Sequence, residues 1–220
     1  MVNNVVFQKA KIPLKINILN KSGDTWTGQA ELPYNNSSWS IGHPAVSPTG
    51  DTLIFASDIP DKGKGKIDLY MIIRSNGVWG KLINLGENIN TAGDEMFPFF
   101  HHGKVLFFAS NGIAGGKGGL DIYYSYLSAG GFETPKNLNE LNSASDDFGL
   151  VIHSGEEVGY FTSQKPGGEG DDDIYKVIFE VEEEGEFELE LLVLDKKTEN
   201  PVTGAKVNFS DNMILYTGSY

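Results

Sequence analysis

Hydrophobic positions in this chain gather in short runs that return at a fixed interval. Leu53-Ile54-Phe55-Ala56-Ser57 comes back as Leu106-Phe107-Phe108-Ala109-Ser110 and again as Gly159-Tyr160-Phe161-Thr162-Ser163. The closing serines, Ser57, Ser110 and Ser163, are each 53 residues apart. Leu53 and Phe55 occupy one side-chain parity, Ile54 and Ala56 the other, and both are apolar. A strand patterned this way is covered on both faces. A fixed interval of this size marks repeated supersecondary units.

Two further marks keep the same phase. Asp68-Leu69-Tyr70, Asp121-Ile122-Tyr123 and Asp173-Ile174-Tyr175 each follow a serine by 10 or 11 residues, across a glycine-rich loop. Trp26, Trp79 and Phe132 are 53 residues apart. Within the first full unit the pattern predicts four strands. They are His43–Val46, Leu53–Ser57, Ile67–Ile73 and Val78–Leu85, with Ser47-Pro48-Thr49-Gly50 as the first turn. Asn76-Gly77 is a strong signal for the hairpin between the last two. Four antiparallel strands in about 50 residues is the plan of a propeller blade.

The chain therefore reads as all-β. Residues 1–37 are the end of a preceding blade, with a strand over Leu14–Leu19, a turn at Lys21–Asp24 and a strand opened by Trp26. Residues 38–92, 93–145 and 146–181 are three blades. Seven glutamates between Glu180 and Glu190 mark a solvated linker over 182–188. Residues 189–220 hold two strands, Leu189–Leu194 and Ala205–Phe209, too few to bury a core alone. The expected result is an open arc whose edge strands are those of Trp26 and Lys176, with the third blade short of an outer strand that N-terminal residues could supply.

Composition narrows the partners. A formal charge of −13 in 220 residues argues against a phosphate backbone or an anionic lipid surface. No cysteine is present, so thiolate and disulfide chemistry are excluded. Met1–Pro13 lacks the apolar core of a signal peptide, and no run reaches the roughly 18–20 apolar residues of a spanning helix. The chain is expected to be either cytosolic or a piece of a longer precursor.

Candidate chemistry is sparse. Because Asp68, Asp121 and Asp173 recur in every unit, each is expected to serve the fold, accepting backbone N–H groups where the loop re-enters the sheet. Asp94-Glu95 and Asp146-Asp147 recur in phase and read as joining turns. Asp171-Asp172-Asp173 with Glu169 offers oxygens for Ca²⁺, but the spacing matches no EF-hand loop, and a solvated loop is expected. His43, His101, His102 and His153 lack metal-ligand spacing, and adjacent His101 and His102 point to opposite faces if extended. No nucleophile elbow or phosphate loop is found. No catalytic residue, cofactor or metal site is expected.

Gly42-His43-Pro44-Ala45-Val46-Ser47-Pro48, Asn90-Thr91-Ala92-Gly93-Asp94-Glu95-Met96-Phe97-Pro98, Asp146-Asp147-Phe148-Gly149-Leu150, Pro166-Gly167-Gly168 and Gly170–Tyr175 together span much of residues 14–178. This set resembles the WD-like β-propeller repeat of the TolB type, in envelope proteins of Bacteroidetes that carry it ahead of an OmpA-like domain. Leu192–Thr198 and Pro201–Val207 resemble the start of a carboxypeptidase regulatory-like β-sandwich, which follows the propeller in those proteins. The resemblance implies a periplasmic, outer-membrane-associated protein, in some relatives tied to gliding or type IX secretion. Peptidoglycan binding would belong to the OmpA-like domain, which these residues do not include. The expected function is a non-catalytic envelope scaffold or protein-interaction module. The alternative is a propeller-bearing hydrolase acting on glycans or peptides, and a third class is a structural spacer with no partner.

Overall fold

The chain divides into two compact units, Met1–Glu180 and Val181–Tyr220. The computed structural model describes residues 12–60, 62–153 and 158–179 of the first unit, and Lys197, Thr198 and Asn200 of the second. The expected strands Leu189–Leu194 and Ala205–Phe209, and the acidic linker, lie outside the described residues.

Every named element is a β-strand, and every strand pair is antiparallel. β1 (Asn17–Ser22) and β2 (Thr25–Glu31) form a hairpin. The first sheet holds β3 (Ile41–Val46), β4 (Thr52–Ser57), β5 (Asp68–Ser75), β6 (Val78–Trp79) and β7 (Ile83–Asn84). The second repeats it with β8 (Glu95–His101), β9 (Val105–Ser110), β10 (Asp121–Ser128), β11 (Gly131–Phe132) and β12 (Lys136–Asn137). The third has β13 (Asp147–Ile152), β14 (Val158–Ser163) and β15 (Asp173–Ile178). Among the described residues no sheet closes on itself.

The expected single fourth strand is two short ones, β6 and β7, both on β5. The register explains the break. Trp79 faces Arg74 and Ile83 faces Met71, so four steps on the outer chain match three on β5. The extra residue is a bulge, and it recurs where Phe132 faces Leu127 and Lys136 faces Tyr124. Asn76 and Gly77 both take positive φ, as a tight hairpin turn requires.

The strand expected over Leu14–Leu19 begins later, at Asn17. Leu14 and Ile16 are drawn into other bonds. The Leu14 carbonyl accepts the Ile41 N–H at 3.0 Å, and the Ile16 carbonyl accepts the Leu32 N–H at 3.2 Å.

The two apolar parities of each second strand face different layers. Leu53 and Phe55 pack with Ile16, Leu32 and Ile72, between the hairpin and the first sheet. Ile54 and Ala56 pack with Leu69, Leu106 and Phe108, between the first and second sheets. Phe107 turns the other way and packs with Ile122, Leu150 and Phe161, between the second and third. Three apolar layers thus join four consecutive units, and burial of these side chains supplies the main favourable term.

The third copy departs from the two-sided pattern. Tyr160, in register with Ile54 and Phe107, is 44% exposed. Ile174 sits where Leu69 and Ile122 sit in the earlier sheets. Those two are 0% and 1% exposed, whereas Ile174 is 77% exposed. The outward face of the third sheet has apolar residues built for a layer that no described residue supplies.

This asymmetry sets an expected result. Leu69→Ala should cost about 2–5 kcal/mol, as large-to-small changes in a packed layer do. Ile174→Ala should stay within about 0.5 kcal/mol, as surface changes do. Urea unfolding of the two variants checks it.

Candidate functional site

The loop ends of the three sheets carry cross-strand rows built to one plan. Ile41, Ser57 and Asp68 stand side by side, then Glu95, Ser110 and Asp121, then Asp147, Ser163 and Asp173. Each aspartate accepts two backbone N–H groups from the loop before it. Asp68 takes those of Lys64 and Gly65 at 3.0 and 3.2 Å. Asp121 takes Lys117 and Gly118 at 3.0 and 3.2 Å, and Asp173 takes Glu169 and Gly170, both at 3.3 Å. The loop must pass hard against the carboxylate to do this. A Cβ on Gly63, Gly116 or Gly168 would lie 1.8, 2.4 or 1.7 Å from an aspartate oxygen, which fixes a glycine five residues before each Asp.

Consecutive units are stitched at the same end. The Ile67 carbonyl accepts the Glu95 N–H at 2.8 Å, and the Leu120 carbonyl accepts that of Asp147 at 2.7 Å. The return bond uses a side chain. Asp94 accepts the Ile67 N–H at 3.1 Å, Asp146 accepts that of Leu120 at 2.7 Å, and Ser40 Oγ accepts that of Leu14 at 3.1 Å. Asp94 and Asp146 therefore join neighbouring sheets.

An asparagine clamp completes the frame, and sequence reasoning missed it. Asn90 Oδ1 accepts the Leu69 N–H at 2.8 Å while its amide donates to the Leu69 carbonyl at 2.9 Å. Asn142 does the same to Ile122 at 2.7 and 2.9 Å, and Asn35 to Ile16 at 3.0 and 2.8 Å. Asn90 and Asn142 are 52 residues apart, a signal close to the visible period.

The buried acids of the rows are turned inward. Glu95 is fully buried and accepts the Thr91 N–H at 2.9 Å, the Thr91 hydroxyl at 2.6 Å and the Ser110 hydroxyl at 2.7 Å. Burial still pushes its carboxyl above the ordinary glutamate range, and the nearby Asp68 carboxylate adds to the shift. Asp147 accepts the Ser143 N–H at 2.5 Å and its hydroxyl at 2.8 Å. Oδ1 of Asp121 and Oδ1 of Asp147 have no hydrogen-bond partner among the described residues. The serines differ: Ser57 donates to the Ser40 carbonyl, Ser110 to Glu95, and Ser163 accepts the Lys165 N–H. Tyr70 and Tyr123 are buried behind their aspartates, and burial first, then the aspartate charge, raises both hydroxyls above the ordinary tyrosine value. Tyr175 instead lies under the Lys165 ammonium, 3.6 Å from its ring centroid.

The aromatic mark has three environments. Trp26 is 62% exposed, Trp79 lies under the Arg74 guanidinium, and Phe132 is buried edge-on to Phe100. Of the acidic loop, Asp172 accepts the Gln164 amide at 2.8 Å and Asp173 holds its own loop. Among the described residues no three His, Asp or Glu side chains are gathered as a metal-ligand set. His101 and His102 do not point apart as an extended pair would. His102 leaves the strand at φ +48°, and the two rings meet at 4.0 Å.

The first strands carry a feature with no counterpart in the sequence marks. His43, Phe97 and Phe148, one from each sheet, stack as a half-buried column. The His43 and Phe97 rings are 4.1 Å apart and 13° from parallel, and the Phe97 and Phe148 rings 4.6 Å and 28°. His43 Nδ1 accepts the Phe97 N–H at 3.3 Å, so its proton sits on Nε2. Burial lowers its basicity and keeps the ring neutral. His43 and Phe97 hold φ +49° and +51° at bulges in the first strands. Such backbone is costly for a bulky residue like Phe and persists only where its surroundings over-determine it.

Comparison with known proteins finds no family model and no curated protein that matches the chain. Function must be argued from the residues themselves.

Two results are expected of the frame. Asn90→Ala strips a buried N–H and a buried carbonyl of their partner and should cost about 1–3 kcal/mol for each group, measured in urea. Glu95→Gln should change the pH dependence of stability. Above about pH 4.3 the unfolded chain releases this proton while folded Glu95 keeps it, so the folded state binds more protons and stability falls as pH rises toward the folded value. The variant should lack that fall, and melts scanned upward from about pH 4.3, the unfolded glutamate value, should show the two profiles diverging.

Proposed function

We propose that this chain is part of a β-propeller of the TolB type and works as a non-catalytic interaction module in a larger envelope protein. Three matched sheets on a 53-residue period, joined face to face by apolar layers, support the propeller reading. The motif resemblance supports a periplasmic, outer-membrane-associated setting, with any hold on peptidoglycan made by an OmpA-like domain of the larger protein. The observation that carries the function is how the polar side chains are spent. The in-phase aspartates close loops and the buried acids accept nearby donors, with Oδ1 of Asp121 and of Asp147 left over beneath the surface. Among the groups left for recognition is the column His43–Phe97–Phe148, half-buried, with His43 and Phe97 at strained backbone positions. Rigid aromatic clusters of this kind dominate binding energy at protein interfaces.

Capture from envelope extract on the immobilised chain tests this. Retention of a defined protein should be lost in Phe148→Ala and kept in Trp26→Ala, with melts showing both variants folded. Retention that ignores Phe148, or turnover of chromogenic glycosides or peptides by the pure chain, would replace this reading with the spacer or the hydrolase.

A further inference from the structure

The first sheet has a gap where the other two have a side chain. Opposite the small residue that precedes each row serine stands Met96 in the second sheet, facing Ala109, and Phe148 in the third, facing Thr162. In the first sheet the position is Gly42, facing Ala56. The backbone does not require glycine there. Gly42 is outside the left-handed region, and an added Cβ would meet only Leu14 Cδ1, at 3.6 Å, an ordinary contact. An open pocket of about 260 Å³ lies at this position, lined by the apolar Ile12, Leu14, Ala56 and Ile67 with Gly42 and His43, and by the polar Ser40, Ser57 and Asp58.

The polar groups at this cavity are engaged. Ser40 Oγ accepts the Leu14 N–H, Ser57 Oγ donates to the Ser40 carbonyl at 2.7 Å, and Asp58 Oδ1 accepts the Ser40 N–H at 2.5 Å. The rest of the lining is aliphatic apart from the His43 imidazole. That imidazole is the end member of the column, stacked on Phe97, and it lines the pocket.

We infer that this cavity is a binding site for a single neutral aromatic ring, which stacks on His43 as the fourth member of the column. Size selects one ring. A cavity of about 150 Å³ holds benzene, and pockets for larger ligands begin near about 300 Å³. Charge argues against an anionic ring, since a chain of formal charge −13 repels nucleotides and other anions. The ring can belong to a free small molecule or to a tyrosine or phenylalanine of a partner. The inference rests on the column as recognition surface, but it is measured on the pure chain. Failure of ring binding leaves capture through Phe148 standing, and failure of capture leaves ring binding standing.

Solution NMR with two probes, p-cresol and the blocked peptide acetyl-Gly-Tyr-Gly-amide, tests it. Saturable upfield shifts of the Leu14 methyls and the His43 ring protons are expected with at least one probe. They should vanish in Gly42→Met, which restores the side chain found in the second sheet, and persist in Trp26→Ala. If Gly42→Met does not fold, Gly42→Val carries the same comparison. Cyclohexanol, of similar size but not planar, should bind roughly twofold to tenfold more weakly than p-cresol, the margin that ring stacking provides. Tighter binding of the peptide assigns the ring to a partner's side chain, and tighter binding of p-cresol assigns it to a small molecule. No saturable shift with either probe, shifts that survive filling of the cavity, or cyclohexanol binding as well as p-cresol would overturn the inference.

Discussion

The whole arrangement depends on backbone bonds made between consecutive units at their loop ends. A residue just before each Asp-x-Tyr, Ile67 or Leu120, gives its carbonyl to the next unit's first strand and its N–H to that unit's aspartate. Leu14 does the same toward Ile41 and Ser40. These bonds fix where one sheet stands against the next. The alternating apolar faces of β4 and β9 can then fill the layers on both sides, because a small displacement would separate side chains packed at the density of a crystal. The aspartate loops and asparagine clamps serve the same end: they satisfy the backbone groups that such close layering would otherwise bury unpaired.

Several of the repeated acidic residues are committed to this frame. Asp68, Asp121 and Asp173 bind loop N–H groups, and Glu95 binds a threonine and a serine. A catalytic carboxylate needs a free oxygen where a substrate can reach it. Among the buried side chains of the described residues, the carboxylate oxygens without partners are those on Asp121 and Asp147. The aromatic column is half-buried on the first strands, and the backbone outliers at His43 and Phe97 fall on it.

Much of the frame was legible because repetition makes it so. The doubly apolar strand, the serine row and the Asp-x-Tyr all keep one phase, and the structure places each at matching positions in its sheets. What stayed hidden breaks phase or changes identity. The clamp residue Asn35 lies 55 residues before Asn90, while Asn142 lies 52 after it, so linker length blurs the signal. The column joins a histidine to a phenylalanine from the equivalent strand position, then to Phe148 from a different register position, where the equivalent of Phe97 is Gly149. No residue-type pattern contains that. The bulge that splits each fourth strand is likewise a matter of counting against β5 or β10, which only the register reveals.

Hydrogen exchange at one repeated position tests the account most directly. The amides of Ile16, Leu69 and Ile122 are each held by an asparagine oxygen, while that of Ile174, at the same place in the third sheet, has no such clamp among the described residues. Protection of Leu69 and Ile122 should follow sub-global opening of the layers, and Ile174 should exchange orders of magnitude faster, as exposed edge amides do. Equal protection of Ile174 and Leu69 would show that the third sheet is covered as the others are, and that clamps and layers do not set the order of this structure.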